Sequence, residues 1–346
     1  MAISTTTNPF KFELMSSIAL QIFIIFFLVS CMSCLPSPPW SSKEKIAFSL
    51  CTEKKADDEC SSDIYMMDHD GKNRSRLTNT KDDNKMPRWS KDGYKLAFMS
   101  DRGGKDKIYV MKFDKSSYCR WGNCWITRLT TAPNNSREQF PNWHPKNDTL
   151  IFQSIDSSGT IKLATANFDS TTDFLHSTEA SGVININPPI PGYPKFPSWS
   201  PNGSRIAFVS EMNGEETIFI AKADGTESYP ITKPDFDSTL PVWAPNGRSI
   251  AFASNRDGDF DIYIVNPDGT DLKKITANIG NELEPSWSPD SKKVVYTADS
   301  ASTSKHPYSS REIFIVNIFD KKMAPKRITH NSIDESYPAW APKFED

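Results

Sequence analysis

Between Pro241 and Thr276 the chain falls into four short apolar or alternating runs separated by turn-forming groups. The runs are Pro241-Val-Trp243, Ser249-Ile-Ala-Phe-Ala-Ser254, Phe260-Asp-Ile-Tyr-Ile-Val265 and Asp271-Leu-Lys-Lys-Ile-Thr276. Between them stand Pro245-Asn-Gly247, Asn255-Arg-Asp-Gly258 and Asn266-Pro-Asp-Gly-Thr270. Asn-Gly and Asp-Gly supply the positive-φ positions of tight hairpins, and proline pre-sets the φ that a turn needs. Runs this short and rich in Ile, Phe, Tyr and Val predict strands rather than helices. The stretch is therefore predicted to be one four-stranded antiparallel meander.

The same pattern recurs. A Pro-x-Trp triplet followed by a turn and an apolar triplet occurs at Trp89, Trp143, Trp199, Trp243 and Trp287, with the apolar triplet starting seven residues after each tryptophan. The tryptophans are spaced by 54, 56, 44 and 44 residues. A period near 40 to 50 residues with four strands per period predicts propeller blades. A lone meander cannot bury its apolar face, so the blades must stack in a ring.

The ends of the repeat predict how that ring closes. Trp40 precedes Ile46-Ala-Phe48 by six residues, one short of the usual offset. Tyr337-Pro-Ala-Trp340-Ala-Pro342 is a good copy of an inner strand, placed just before the last residue, Asp346. This last strand is expected to complete a first blade whose other strands come from 45–50, 63–68 and 74–78, which removes an open sheet edge. The expected fold is all-β: a six-bladed propeller of four-stranded antiparallel blades, its first blade closed by the C-terminal strand.

The repeat Pro-x-Trp-Ser-Pro-Asn/Asp-Gly-x-x-Ile-Ala-Phe-x-Ser, continuing to Ile-Tyr, Asp-Gly-Thr and Leu/Ile-Thr, resembles that of TolB-type β-propellers. The resemblance runs from about Lys45 to Pro342 and, being repeated, is more specific than any single motif. It is to the propeller alone, without the further domain that TolB carries ahead of it.

Ahead of the repeat, residues 1–30 read as a signal peptide: a polar start, then an apolar stretch of 13 residues from Ile18, too short to span a bilayer. Leu28-Val-Ser30-Cys31 resembles a bacterial lipoprotein cleavage box with Cys31 as the acylated residue. Residues 31–44 then form a lipidated cysteine and a proline-containing tether, and 45–346 the propeller. The expected location is the periplasm-facing side of a bacterial membrane, the outer rather than the inner, held by the lipid anchor.

Charge and cysteine usage agree with an exported protein. The formal net charge is −3, with 40 basic and 43 acidic residues, so there is no basic excess for nucleic acid. Cys51 and Cys60 flank one inter-strand loop and Cys119 and Cys124 another, which predicts two local disulfides in an oxidising compartment. Cys34 is left without a partner.

Positions filled alike in every blade serve the blade, so the breaks in the repeat carry the functional signal. Long connections at 51–60, 131–139, 179–195 and 299–311 fall on one face, whereas the other face has tight turns except at 114–124. Binding residues usually sit on such loops of a rigid scaffold. The segments entering the inner strands bring Asp82, Asp83, Glu138, Asp235, Asp237, Glu282, Glu284, Asp334 and Glu335. These nine are expected to ring the channel mouth and to attract a cationic partner or metal, with Asp235, Asp237, Glu282 and Glu284 exposed. Asp257, Asp259 and Asp261 resemble a calcium loop, but Gly258 is misplaced and no glutamate stands twelfth, so a plain turn is expected and no cofactor or metal.

No nucleophile elbow, His-Glu-x-x-His or phosphate-binding loop occurs. The five histidines lack metal-ligand spacing, with His144 and His306 the first candidates for any catalytic role. The expected function is a non-catalytic, monomeric envelope propeller that binds a protein or peptide through its long-loop face and channel mouth. The alternative is a propeller lyase or hydrolase acting on a sugar polymer or small substrate at the same mouth.

Overall fold

A computed structural model of the chain describes residues 44–343, apart from 55–59, 114–124, 131–134, 169–181, 185–191, 277–279, 300–309, 321–323 and 332. Residues 43–346 form one compact unit. The expectations for the signal peptide, for lipidation at Cys31, for the tether and for a Cys119–Cys124 bond lie outside the described residues, as does part of each long loop.

The first blade contains β1 (Lys45–Lys54), β2 (Cys60–Asp68) and β3 (Ser75–Arg76). The second is β4 (Asn84–Trp89), β5 (Lys95–Ser100), β6 (Lys107–Lys112) and β7 (Trp125–Arg128). The third is β8 (Arg137–Trp143), β9 (Thr149–Ile155), β10 (Ile161–Asn167) and β11 (Gly182–Ile184). The fourth is β12 (Lys195–Trp199), β13 (Arg205–Met212), β14 (Glu215–Lys222) and β15 (Tyr229–Pro230). The fifth is β16 (Ser238–Trp243), β17 (Ile250–Ser254), β18 (Asp261–Val265) and β19 (Lys273–Lys274). The sixth is β20 (Glu282–Trp287), β21 (Lys293–Asp299), β22 (Arg311–Asn317) and β23 (Lys326–Arg327). The last strand, β24 (Glu335–Trp340), pairs with β1, placing Ile46 opposite Trp340 and Leu50 opposite Glu335. There are thus six four-stranded antiparallel sheets, closed as the repeat predicts.

Burial explains why the blades need one another. The second strands are buried on both faces: β17 and β5 are buried along their whole length. The inner-strand tryptophans Trp143, Trp199, Trp243, Trp287 and Trp340 fill the seams to the preceding blades. Trp243, Ile250 and Phe252 pack on Ala207, Val209, Ile218 and Ile220 of the fourth blade. At the closure Trp340 joins Ile46, Phe48 and Met67 to Val295, Ile313 and Ile328 of the sixth. Three indoles also donate their N–H across the seam: Trp89 to Ala339 O at 3.2 Å, Trp143 to Arg88 O at 3.0 Å and Trp287 to Val242 O at 3.1 Å. The Cys51–Cys60 disulfide links β1 to β2.

Candidate functional site

The site starts from a bulge that every inner strand shares. The register slips in the same place in each blade, for example between Lys85 and Arg88 and between Thr239 and Val242. At the slip sits a non-glycine residue of positive φ, always just before proline: Met86 (58°), Phe140 (58°), Phe196 (52°), Leu240 (55°), Glu284 (61°) and Tyr337 (53°). Such a conformation costs on the order of 1–3 kcal/mol, and its sixfold repetition makes it a demand of the blade. A bulge re-aims its side chain; here all six side chains line one axial channel.

The conformation is common to the blades but the side chains differ, so their identity is free to serve a ligand. Met86, Phe140, Phe196 and Leu240 make most of the ring apolar, and the Phe140 and Phe196 rings lie 4.1 Å apart between centroids. One turn of the pleat deeper, between proline and tryptophan, come Arg88, Asn142, Ser198 and Val242. The space among these residues, including what opens to solvent, is about 430 Å³.

The charges in the channel are Arg88 and Glu284. Glu284 is 5% exposed, and its Oε2 accepts the Tyr337 N–H at 2.6 Å and the Thr297 hydroxyl at 3.0 Å. Its Oε1 lies 3.5 Å from Arg311 Nη1. Burial pushes the Glu284 carboxyl above the usual carboxylate range, against the pull of Arg311 and these hydrogen bonds. Burial likewise lowers the Arg88 guanidinium, partly offset by Glu284. The Tyr337 phenol is raised, first by burial and then by the Glu284 charge.

The nine carboxylates expected around the mouth are placed differently from one another. Four are buried, Glu138 at 1%, Glu282 at 0%, Glu284 at 5% and Glu335 at 0%, which corrects the expectation that Glu282 and Glu284 are exposed. Glu138 takes Lys107 Nζ of the preceding blade at 2.9 Å, and Ser136 and Thr130 complete the network. Glu335 takes Arg74 at 2.5 Å and Asn331 at 2.8 Å. Burial without such partners would cost several kcal/mol per ion; Glu138 ties the second blade to the third, and Glu335 ties β24 to the outer part of the first blade. Three more cap the backbone of the preceding blade's third strand. Asp83 accepts the Ser62 N–H at 2.9 Å, Asp237 the Glu216 N–H at 2.9 Å and Asp334 the Arg311 N–H at 3.0 Å. Asp235 is exposed and Asp82 half-buried. The acidic ring therefore gives way to ion pairs and caps, with Arg88 the cation at the axis.

The aspartates of the calcium-like loop and His144 also have structural partners. Asp257 accepts the Tyr263 hydroxyl at 2.6 Å, and Asp261 takes Lys274 Nζ at 2.5 Å. Among the described residues no group of three His, Cys, Asp or Glu side chains converges to hold a metal. His144 stands at the far end of β8, its ring edge-on to Trp199 at 4.9 Å and over Gly203, whose added Cβ would meet it at 2.4 Å. His306 lies outside the described residues.

Apart from Glu284, sequence reasoning does not single out the axial residues, although the repeat holds their signal. They are the variable positions flanking the proline of Pro-x-Trp, one before it and one after.

The family model for the TolB beta propeller domain matches residues 28–190 and 194–343. The chain belongs to the TolB beta propeller domain family. Among solved structures it is similar to TolB from Acinetobacter baumannii, at 16% identity and a TM-score of 0.67, covering 88% of this chain and 68% of that one. It is also similar to a putative TolB from Agrobacterium tumefaciens, at 18% identity and 0.56, covering 83% and 88%. A third match, Kuenenia stuttgartiensis hydrazine synthase, has 16% identity and a TM-score of 0.64 over 88% of this chain and 47% of the other. At such identities the likeness is one of fold. An uncharacterized protein of Agrobacterium fabrum is 29% identical over 154 residues, 42% of this chain and 46% of that protein. The chain thus spans about half the length of the curated relative that it matches.

Proposed function

We propose that this TolB-family propeller is a non-catalytic binding module that takes a protein or peptide partner on the face where the inner strands begin, at the mouth of the axial channel. The observation that carries this reading is a set of exposed apolar side chains. Tyr193, Phe236 and Ile333 are 60%, 44% and 43% exposed, and each stands two residues ahead of an inner strand, β12, β16 and β24. Single exposed apolar residues are ordinary, but a group around one mouth is what interaction sites present. The rigid ring behind them holds that surface in place without ordering cost on binding.

A catalytic reading has less support, because the one axial carboxylate, Glu284, already spends its oxygens on Tyr337, Thr297 and Arg311. Membership of the TolB family supports an exported, envelope-associated protein, and lipid anchoring at Cys31 is the finer form of that proposal.

The test is selection of a peptide from a random display library on the full chain, followed by fluorescence anisotropy. Tyr193→Ser and Phe236→Ser are expected to weaken the selected peptide at least roughly tenfold, as for truncated interface anchors. Leu272→Ser and Phe319→Ser, exposed on the opposite face, are expected to leave it unchanged. Loss from the second pair alone would overturn the reading.

A further inference from the structure

Arg88 is the one charged residue between proline and tryptophan in the six inner strands; the others are Asn142, Ser198, Val242, Ser286 and Ala339. It follows Met86 by two residues on β4, just past the bulge, and both side chains line the channel. Its Nη1 donates to Pro87 O at 2.9 Å. Among the described residues no carboxylate comes within ion-pairing distance of it. Glu284, which also lines the channel, is committed to a backbone N–H, a hydroxyl and Arg311.

Arg88 is half-buried in the channel wall with no carboxylate among the described residues paired to it, and charges withdrawn from water are ordinarily paired or coordinate a ligand. Burial disfavours its charged form, and an incoming anion would restore that loss. Around it stand Met86, Phe140, Phe196 and Leu240. Their rings and methyl-bearing chains cannot hydrogen-bond an anion but can cover an apolar group attached to one.

We propose that the axial channel binds a carboxylate carried on an apolar or aromatic group, the carboxylate on Arg88 and the apolar part among Met86, Phe140, Phe196 and Leu240. Guanidinium–carboxylate pairing is bidentate and stronger than a neutral hydrogen bond, so it would fix the ligand's orientation at the axis. This deepens the binding reading above by naming what enters the channel. The same chemistry has two sources, the C-terminal carboxylate of a peptide or the side chain of an acidic residue beside an aromatic one.

The experiment measures dissociation constants for the full chain by ligand-observed NMR with three probes. N-acetyl-phenylalanine carries the α-carboxylate, N-acetyl-aspartyl-phenylalaninamide the side-chain carboxylate, and N-acetyl-phenylalaninamide neither. At least one acid is expected to bind roughly tenfold or more tighter than the neutral amide, and which acid does so identifies the source. Arg88→Met is expected to erase the preference and Arg88→Lys to retain part of it. Equal binding of acids and amide, no binding of either acid, or a preference that survives in Arg88→Met would overturn the proposal. The wild-type comparison decides the matter even if a variant fails to fold. Tyr193 and Phe236, which test the binding reading, lie outside the channel lining, so the two can fail separately.

Discussion

Trp143 donates its indole N–H to the carbonyl oxygen of Arg88 at 3.0 Å, across the seam between the second and third blades. The residue that fills the seam thus also holds the backbone that carries the axial cation. Packing and site are one construction here, and changes in the seams are expected to reach the channel.

Closure of the ring depends on Trp340, which is 6% exposed against Ile46, Phe48 and Met67. Trp340→Ala is expected to cost about 3–5 kcal/mol and to lower the melting temperature in calorimetry. Deletion of β24 altogether is expected to do more, since it uncovers β1 as well. A truncated chain that melts like the intact one would show that β24 is not the closing strand.

Lys107 and Glu138 are 0% and 1% exposed and meet at 2.9 Å. Lys107→Met strands a buried carboxylate and is expected to destabilise by about 3–5 kcal/mol. Adding Glu138→Leu removes the stranded charge and is expected to recover most of that loss. Chemical denaturation of the two single variants and the double variant reads this directly; additive losses would show that the two residues do not act as a pair.

Burial raises the Glu284 and Glu335 carboxyls above their ordinary 4.5. The native protein then binds more protons than the unfolded chain, so stability from these groups is present below about 4.5 and falls as pH rises through their native values. Groups held low, such as Asp92 and Asp290, pull the other way, so the readout is the difference between proteins. Urea midpoints from pH 4 to 8 are expected to rise for Glu335→Gln relative to the wild type as pH increases. A constant difference across that range would contradict the assignment.

Cys31→Ser is expected to release the protein from the membrane fraction or block its maturation, because one residue carries the proposed anchor. Fractionation of expressing cells, with mass analysis of the mature N-terminus, checks this. A mutant that stays membrane-bound and is processed normally would rule out lipidation at this cysteine.

How far the sequence carries depends on the range of the forces involved. The six blades, the seam tryptophans, the closing strand and the Cys51–Cys60 bond were all legible, because turn residues and strand periodicity act between near neighbours and repeat. The same logic failed for Glu138, Glu282, Glu284 and Glu335, which look like ordinary acidic residues at strand entrances. Whether such a carboxylate meets water or a buried partner depends on residues distant in the chain. Arg74, the partner of Glu335, lies 261 residues away from it.

The axis was decided by tertiary structure alone. Proline and tryptophan mark the inner strand in the sequence, but nothing local says that the residue before proline takes a positive φ and turns inward. That shows only in the folded ring, where the register slips at this residue in all six inner strands. The sequence by itself determined the blades and their order. The ring, by bringing Met86, Arg88, Phe140, Phe196, Leu240, Glu284 and Tyr337 from six blades to one axis, decided which side chains share a site, because convergence at a symmetry axis has no counterpart along the chain.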